Sequence, residues 1–142
     1  MKFVRDTLEL THEAALEMLR AGVAAAHELG QPQCIVIVDK SGETLASLRM
    51  TGAKYLSLVS ARTKARTAAS IGVESNQIPP EVAPLIAAAT QGAVTGLSGG
   101  LPIYIDNILL GGVGIGSGSP EQDRAVAAAA IDAIGAQVSR QS

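Results

Sequence analysis

The chain has to build its core almost without aromatic rings. Its 142 residues include one Phe, two Tyr and no Trp (Phe3, Tyr55 and Tyr104), yet 47% of them are hydrophobic. Such a core is aliphatic and rich in alanine. Alanine helices are thin, pack closely and bury less apolar area per residue. The length fits one domain with a real core, so residues 1–142 are expected to form a single domain. The deficit in apolar area points to a homo-oligomer as the working form.

Hydrophobic period and turn chemistry order the elements. Thr11 reads as a helix cap with Glu13 in the first turn. Leu16, Leu19, Val23 and Ala26 follow at helical spacing, and Gly30 with Pro32 ends the run. Cys34 to Val38 is a short apolar run read as a buried strand. Asp39-Lys-Ser-Gly42 is a turn, and Glu43 to Arg49 is the returning strand. A helix is expected from about Tyr55 to Ser70 and another from Glu81 to about Ala93. Leu101–Ile105 and Ile108–Ile115 read as a second hairpin around Asp106-Asn107. Ser119-Pro-Glu-Gln122 then starts a last helix, reaching about Val138. The expected fold is α+β, in the order α-β-β-α-α-β-β-α, with an antiparallel sheet flanked by helices.

Composition also removes several classes of function. A net charge of −2 and a pI of about 5.6 call for neither nucleic acid nor an anionic membrane. Cys34 is the one cysteine, so the chain has no internal disulfide and no cysteine-based zinc site. Met1 to Leu10 carries Asp6 and Glu9 and lacks the apolar segment of a secretory leader, so the cytoplasm is the expected compartment.

Charge is placed unevenly. No acid falls between Glu43 and Glu74, whereas Arg49, Lys54, Arg62, Lys64 and Arg66 all do. One reading is an anion site in which Arg49 and Lys64 grip a carboxylate or phosphate. The plainer one is a solvated helix face, or ion pairs across an interface. The run Gly112-x-Gly114-x-Gly116 has the look of a dinucleotide fingerprint, but too little chain follows Gly118 for the second half of such a unit. Close packing of backbone is the plainer reading. The N–H groups near Gly118 to Glu121 stay open as an anion site at a helix start.

Several strings, in this order, resemble the GlcG/HbpS family, which includes the C-terminal domain of PduO-type proteins. They are Leu10-Thr11, Val38-Asp39-x-x-Gly42, Arg49-Met50-x-Gly52-Ala53, Lys64-Ala65-x-Thr67-Ala68, Gly99-Gly100-Leu-Pro102-Ile103, Gly111-x-Val113-Gly114-Ile115 and Gln122-Asp123. The resemblance implies a profilin-like fold, a dimer or larger assembly, and a small ligand, with heme or a corrinoid among those held by relatives. It also implies an accessory place in a catabolic pathway. It places ligand contacts at Arg49, Lys64, Gly99 and Gly100. This chain departs at Thr51, where the family carries an acid, and at Gly116-Ser117, where it carries Ser-Gly.

Heme needs one axial donor, and His12, His27 and Met50 are the candidates. The two histidines are too far apart on one helix to chelate a single metal, and neither has a second ligand at zinc spacing, so no metal site is expected. The alternative function is a cofactor-independent isomerase, lyase or hydrolase acting on a small carboxylated metabolite. There Arg49 and Lys64 would anchor or polarise the carboxylate, and Asp123 or Tyr104 would move a proton. A purely structural oligomer is the third reading.

Overall fold

Helix caps, turns and a row of glycines explain most of the architecture. The computed structural model describes residues 2–142; Met1, part of the N-terminal stretch read above, lies outside the described residues. The Thr11 hydroxyl accepts from the Ala14 N–H and starts α1 (His12–Leu29), which ends at Gly30 in left-handed backbone. β1 (Cys34–Asp39) turns into β2 (Thr44–Arg49) through Asp39, whose Oδ1 accepts from the Ser41 and Glu43 N–H groups. α2 spans Leu56–Ile71, followed by a single 3-10 turn at Ser75–Gln77 and by α3 (Ala83–Ala89). β3 (Gly100–Ile105) and β4 (Ile108–Gly116) are joined by Asp106 and Asn107, both at positive φ, as a tight two-residue hairpin requires. Ser119 and Gln122 form a reciprocal capping box at the start of α4 (Pro120–Asp132).

The four strands form one antiparallel sheet in the order β2-β1-β4-β3. Alternation along each strand sorts the side chains between two faces. Ile35, Ile37, Leu101, Ile103, Val113 and Ile115 point to the face covered by α1 and α4. Cys34, Val36 and Val38 point to the face covered by α2. The architecture is the expected α+β, profilin-like layering.

The glycine row lies under α2. A Cβ on Gly114 would stand 1.8 Å from the Ala61 carbonyl oxygen, and one on Gly112 would stand 2.2 Å from that of Ala65. Ala61 and Ala65 supply the matching small residues on the helix. Backbone therefore rests on backbone, which is how a core with so few rings reaches close packing.

Three expectations need correction. In α1 the buried stripe is Ala15, Met18, Gly22 and Ala26, and Leu16 is 55% exposed. At Gly22, α1 lies so near the sheet that a Cβ would come within 2.9 Å of Ile35 Cδ1, so the face that carries this glycine is the one turned inward. The helix expected over Glu81–Ala93 shrinks to Ala83–Ala89: the Val82 and Ala83 N–H groups both turn back to the Pro79 carbonyl, and Gln91 and Gly92 reverse the chain. α4 stops at Asp132 because the following residues fold back, and Gln137 pairs with Tyr104 on the open side of β3.

Candidate functional site

Lys64 sits mid-helix on the side of α2 that faces the sheet and is 5% exposed. Its ammonium donates to Asp123 Oδ2 at 3.0 Å and to the Ile115 carbonyl at 2.7 Å. Asp123, 3% exposed near the start of α4, also accepts from the Gly118 N–H at 3.0 Å. Burial pushes the Asp123 carboxyl up, while Lys64 and the Gly118 N–H pull it back. The pair locks α2 to α4 across the end of the sheet. Arg49 is exposed at the end of edge strand β2, where it pairs across the sheet with Cys34. The expected two-cation cleft is therefore not formed, because the Lys64 charge is turned inward and neutralised.

Gly99 and Gly100 serve this pair rather than an open surface. Gly99 has a φ of 111°, and a Cβ there would press on Asp123 and Lys64; one on Gly100 would strike the Lys64 carbonyl at 2.3 Å. The Gly118 and Ser119 N–H groups are taken by Asp123 and Gln122, so the start of α4 does not face an external anion. The Tyr104 hydroxyl donates to the Gly72 carbonyl at 2.8 Å and fixes the end of α2. Cys34 is buried in β1, and burial pushes its thiol up, against any nucleophilic use.

The heme-donor candidates separate into one pair and one outlier. His27, on the last turn of α1, and Met50, just past β2, line a single cleft of about 420 Å³ with Val23, Ala26 and Pro32. Met50 and Thr51, in the turn after β2, form one wall, and a Cβ on Gly52 would stand 3.3 Å from Pro32 Cγ. The Gln33 N–H donates to Met50 Sδ at 3.4 Å, and the Met50 N–H to the Gln33 carbonyl at 3.0 Å. His12 stands exposed at the opposite end of α1, beside Glu13. Among the described residues, no cluster of three or more His, Cys, Asp or Glu could hold a bare metal ion.

Gln33 is a buried polar residue beside the Lys64–Asp123 pair that sequence reasoning missed. It is fully buried, and neither atom of its side-chain amide has a hydrogen-bond partner among the described residues. Its backbone carbonyl accepts from the Met50 N–H, while its side-chain amide lies beside Gly118, where a Cβ would stand 2.4 Å from Nε2. A polar residue before an apolar strand reads as a turn residue, and nothing in the sequence marked it as buried.

No helix is long and apolar enough to cross a membrane among the described residues. The profile of a family described as haem degrading protein HbpS-like matches residues 10–132. The corrinoid adenosyltransferase PduO of Citrobacter freundii is 35% identical over 132 residues, covering 89% of this chain and 39% of that protein. The chain thus spans well under half the length of that relative. An uncharacterized 15.0 kDa protein from the dhaT-dhaS intergenic region of Citrobacter freundii is 32% identical over 128 residues, which are 87% of this chain and 90% of the relative. Among solved structures, a PduOC:heme complex superposes with a TM-score of 0.87 at 32% identity, covering 94% of this chain and all of the other. Every element from the cap of α1 to the end of α4 falls within the matched residues, and the chain belongs to the HbpS-like family.

Proposed function

We propose that this protein binds a small ligand, with heme the leading candidate, in the cleft between the end of α1 and the turn after β2. The observation that carries this reading is the presence of His27 and Met50 on the walls of one cleft. An imidazole and a thioether are both donors that heme iron accepts, and the donor set fits the group. Val23, Ala26 and Pro32 supply apolar wall for a macrocycle. Arg49 pairs across the sheet with Cys34 and so belongs to the face covered by α2, and it does not line this cleft. The likeness to a PduOC:heme complex supports the same ligand. A bound heme would supply iron chemistry. What these residues would do is offer the axial donor and shield the ring.

The wider role we propose is that of a cytoplasmic accessory protein in a catabolic pathway, acting as a homo-oligomer. Tyr55, Leu56 and Val59 stand exposed together at the start of α2, an apolar patch suited to a neighbouring copy. Catalysis through Lys64, Asp123 and Tyr104 is the second reading: burial raises the Asp123 carboxyl, while all three side chains are buried and hydrogen-bonded within the fold.

A hemin titration tests the ligand. The folded protein should give a saturable Soret shift, weakened in His27→Ala. Absence of any Soret change removes heme from the account. Light scattering tests the assembly, and a lone 14.4 kDa species at micromolar concentration would refute it.

A further inference from the structure

The face of the sheet covered by α2, away from His27 and Met50, carries a second cleft of different chemistry. It encloses about 540 Å³ between the β1–β2 turn, the C-terminal half of α2 and the end of α3, and its polar lining is Lys40, Ser41, Gly42, Arg66, Ser70 and Thr90. No Asp or Glu lines it among the described residues. Arg66 is half-buried and in no salt bridge among them. Gly42 takes left-handed backbone, and a Cβ there would stand 3.4 Å from Arg66 Nε, so the turn passes directly against the guanidinium.

We propose that this cleft binds a small oxyanion, the carboxylate or phosphate group of a small metabolite. A planar guanidinium held against a wall can present two N–H groups to one oxyanion, and partial burial strengthens such bonds. Lys40 adds a second cation. Its ammonium donates to the Leu8 carbonyl at 2.7 Å and to the Thr7 hydroxyl, which line a neighbouring cleft together with Asp6, and one of its three protons remains for a ligand. Ser41 and Ser70 contribute hydroxyls. The carboxylate closest in sequence to Lys40 belongs to Asp39, and its Oδ1 is occupied by two backbone N–H groups of the turn. Glu43 is exposed beyond the turn and pairs with no cation among the described residues. The acid-free stretch of sequence thus finds its use at Arg66, once Lys64 has been spent on Asp123. This site is independent of the heme reading and lies on the opposite face of the sheet.

Calorimetric titration of the full chain with inorganic phosphate, and separately with acetate, tests it at low ionic strength. One saturable site is expected, and the stronger of the two probes names the ligand class. Arg66→Gln should weaken binding about tenfold to a hundredfold. Arg66→Lys should recover part of the loss, and Arg62→Gln, on the exposed side of α2, should leave affinity unchanged. If Arg66→Gln fails to fold in a thermal melt, Lys40→Gln is the second variant and should weaken binding about tenfold. No saturable heat with either probe at millimolar concentration would overturn the proposal. So would equal losses from Arg62→Gln and Arg66→Gln, the mark of a diffuse positive field. Arg66→Gln should bind hemin like the unmodified chain, so the two clefts fail separately.

Discussion

Replacing Lys64 with Met should expose how much the buried ion pair contributes. The substitution keeps the length of the side chain but strands the Asp123 carboxyl, which is 3% exposed and retains only the Gly118 N–H as a partner. Removing one partner of a buried pair costs about 3–5 kcal/mol, out of a total stability of roughly 5–15 kcal/mol for a domain of this kind. The deficit should also depend on pH. Burial already raises the Asp123 pKa in the intact chain, and Lys64→Met removes two contributions that lower it, so the carboxyl rises further. A folded-state pKa above the unfolded one means that the folded protein binds the extra proton. Stability from that proton is fully present below the unfolded pKa and is lost as pH rises through the folded one. The variant should therefore sit closest to the parent at about pH 4 and fall furthest behind at about pH 7.5. Urea denaturation at both pH values measures this. The double variant Lys64→Met with Asp123→Leu should recover most of the loss, because neither charge is then left buried and alone. A single variant within about 1 kcal/mol of the parent at neutral pH, or a deficit that ignores pH, would refute the reasoning.

Two further substitutions probe the fold that holds the clefts. Gly114→Ala forces a methyl against the Ala61 carbonyl oxygen and the Ala65 N–H, both backbone, so α2 must lift from the sheet; a cost at or above about 3 kcal/mol in urea denaturation is expected, and a near-neutral result would mean that the helix does not rest on the glycine row. Ser119→Ala removes the hydroxyl that accepts from the Gln122 N–H and should lower stability by about 1 kcal/mol in thermal unfolding, with hemin affinity unchanged.

Features set by neighbouring residues were legible in the sequence. Thr11 and Ser119 cap the helices they were expected to cap, and Asp106-Asn107 makes the expected hairpin. Each of these depends on a few consecutive residues and their own hydrogen bonds. The glycine row was legible as close packing, because no other residue type permits it. What the sequence left open was decided by contacts between distant segments. α4 ends early because Gln137 finds an edge strand 33 residues upstream, at Tyr104. Which face of α1 is buried was ambiguous because apolar residues lie on two sides of it, and the close approach to Ile35 at Gly22 selects the face with Ala15, Met18 and Ala26. Lys64 and Asp123 are 59 residues apart, and no local pattern announces that one neutralises the other. His27 and Met50 likewise meet only because α1 crosses behind the β2 turn.

The most direct measurement compares hemin binding across three single variants by the position and amplitude of the Soret band. The account predicts that His27→Ala loses or strongly shifts the band, that Met50→Leu weakens binding, and that His12→Ala matches the parent. An unchanged band and affinity in both His27→Ala and Met50→Leu would contradict it, and would place any heme outside the cleft between α1 and β2.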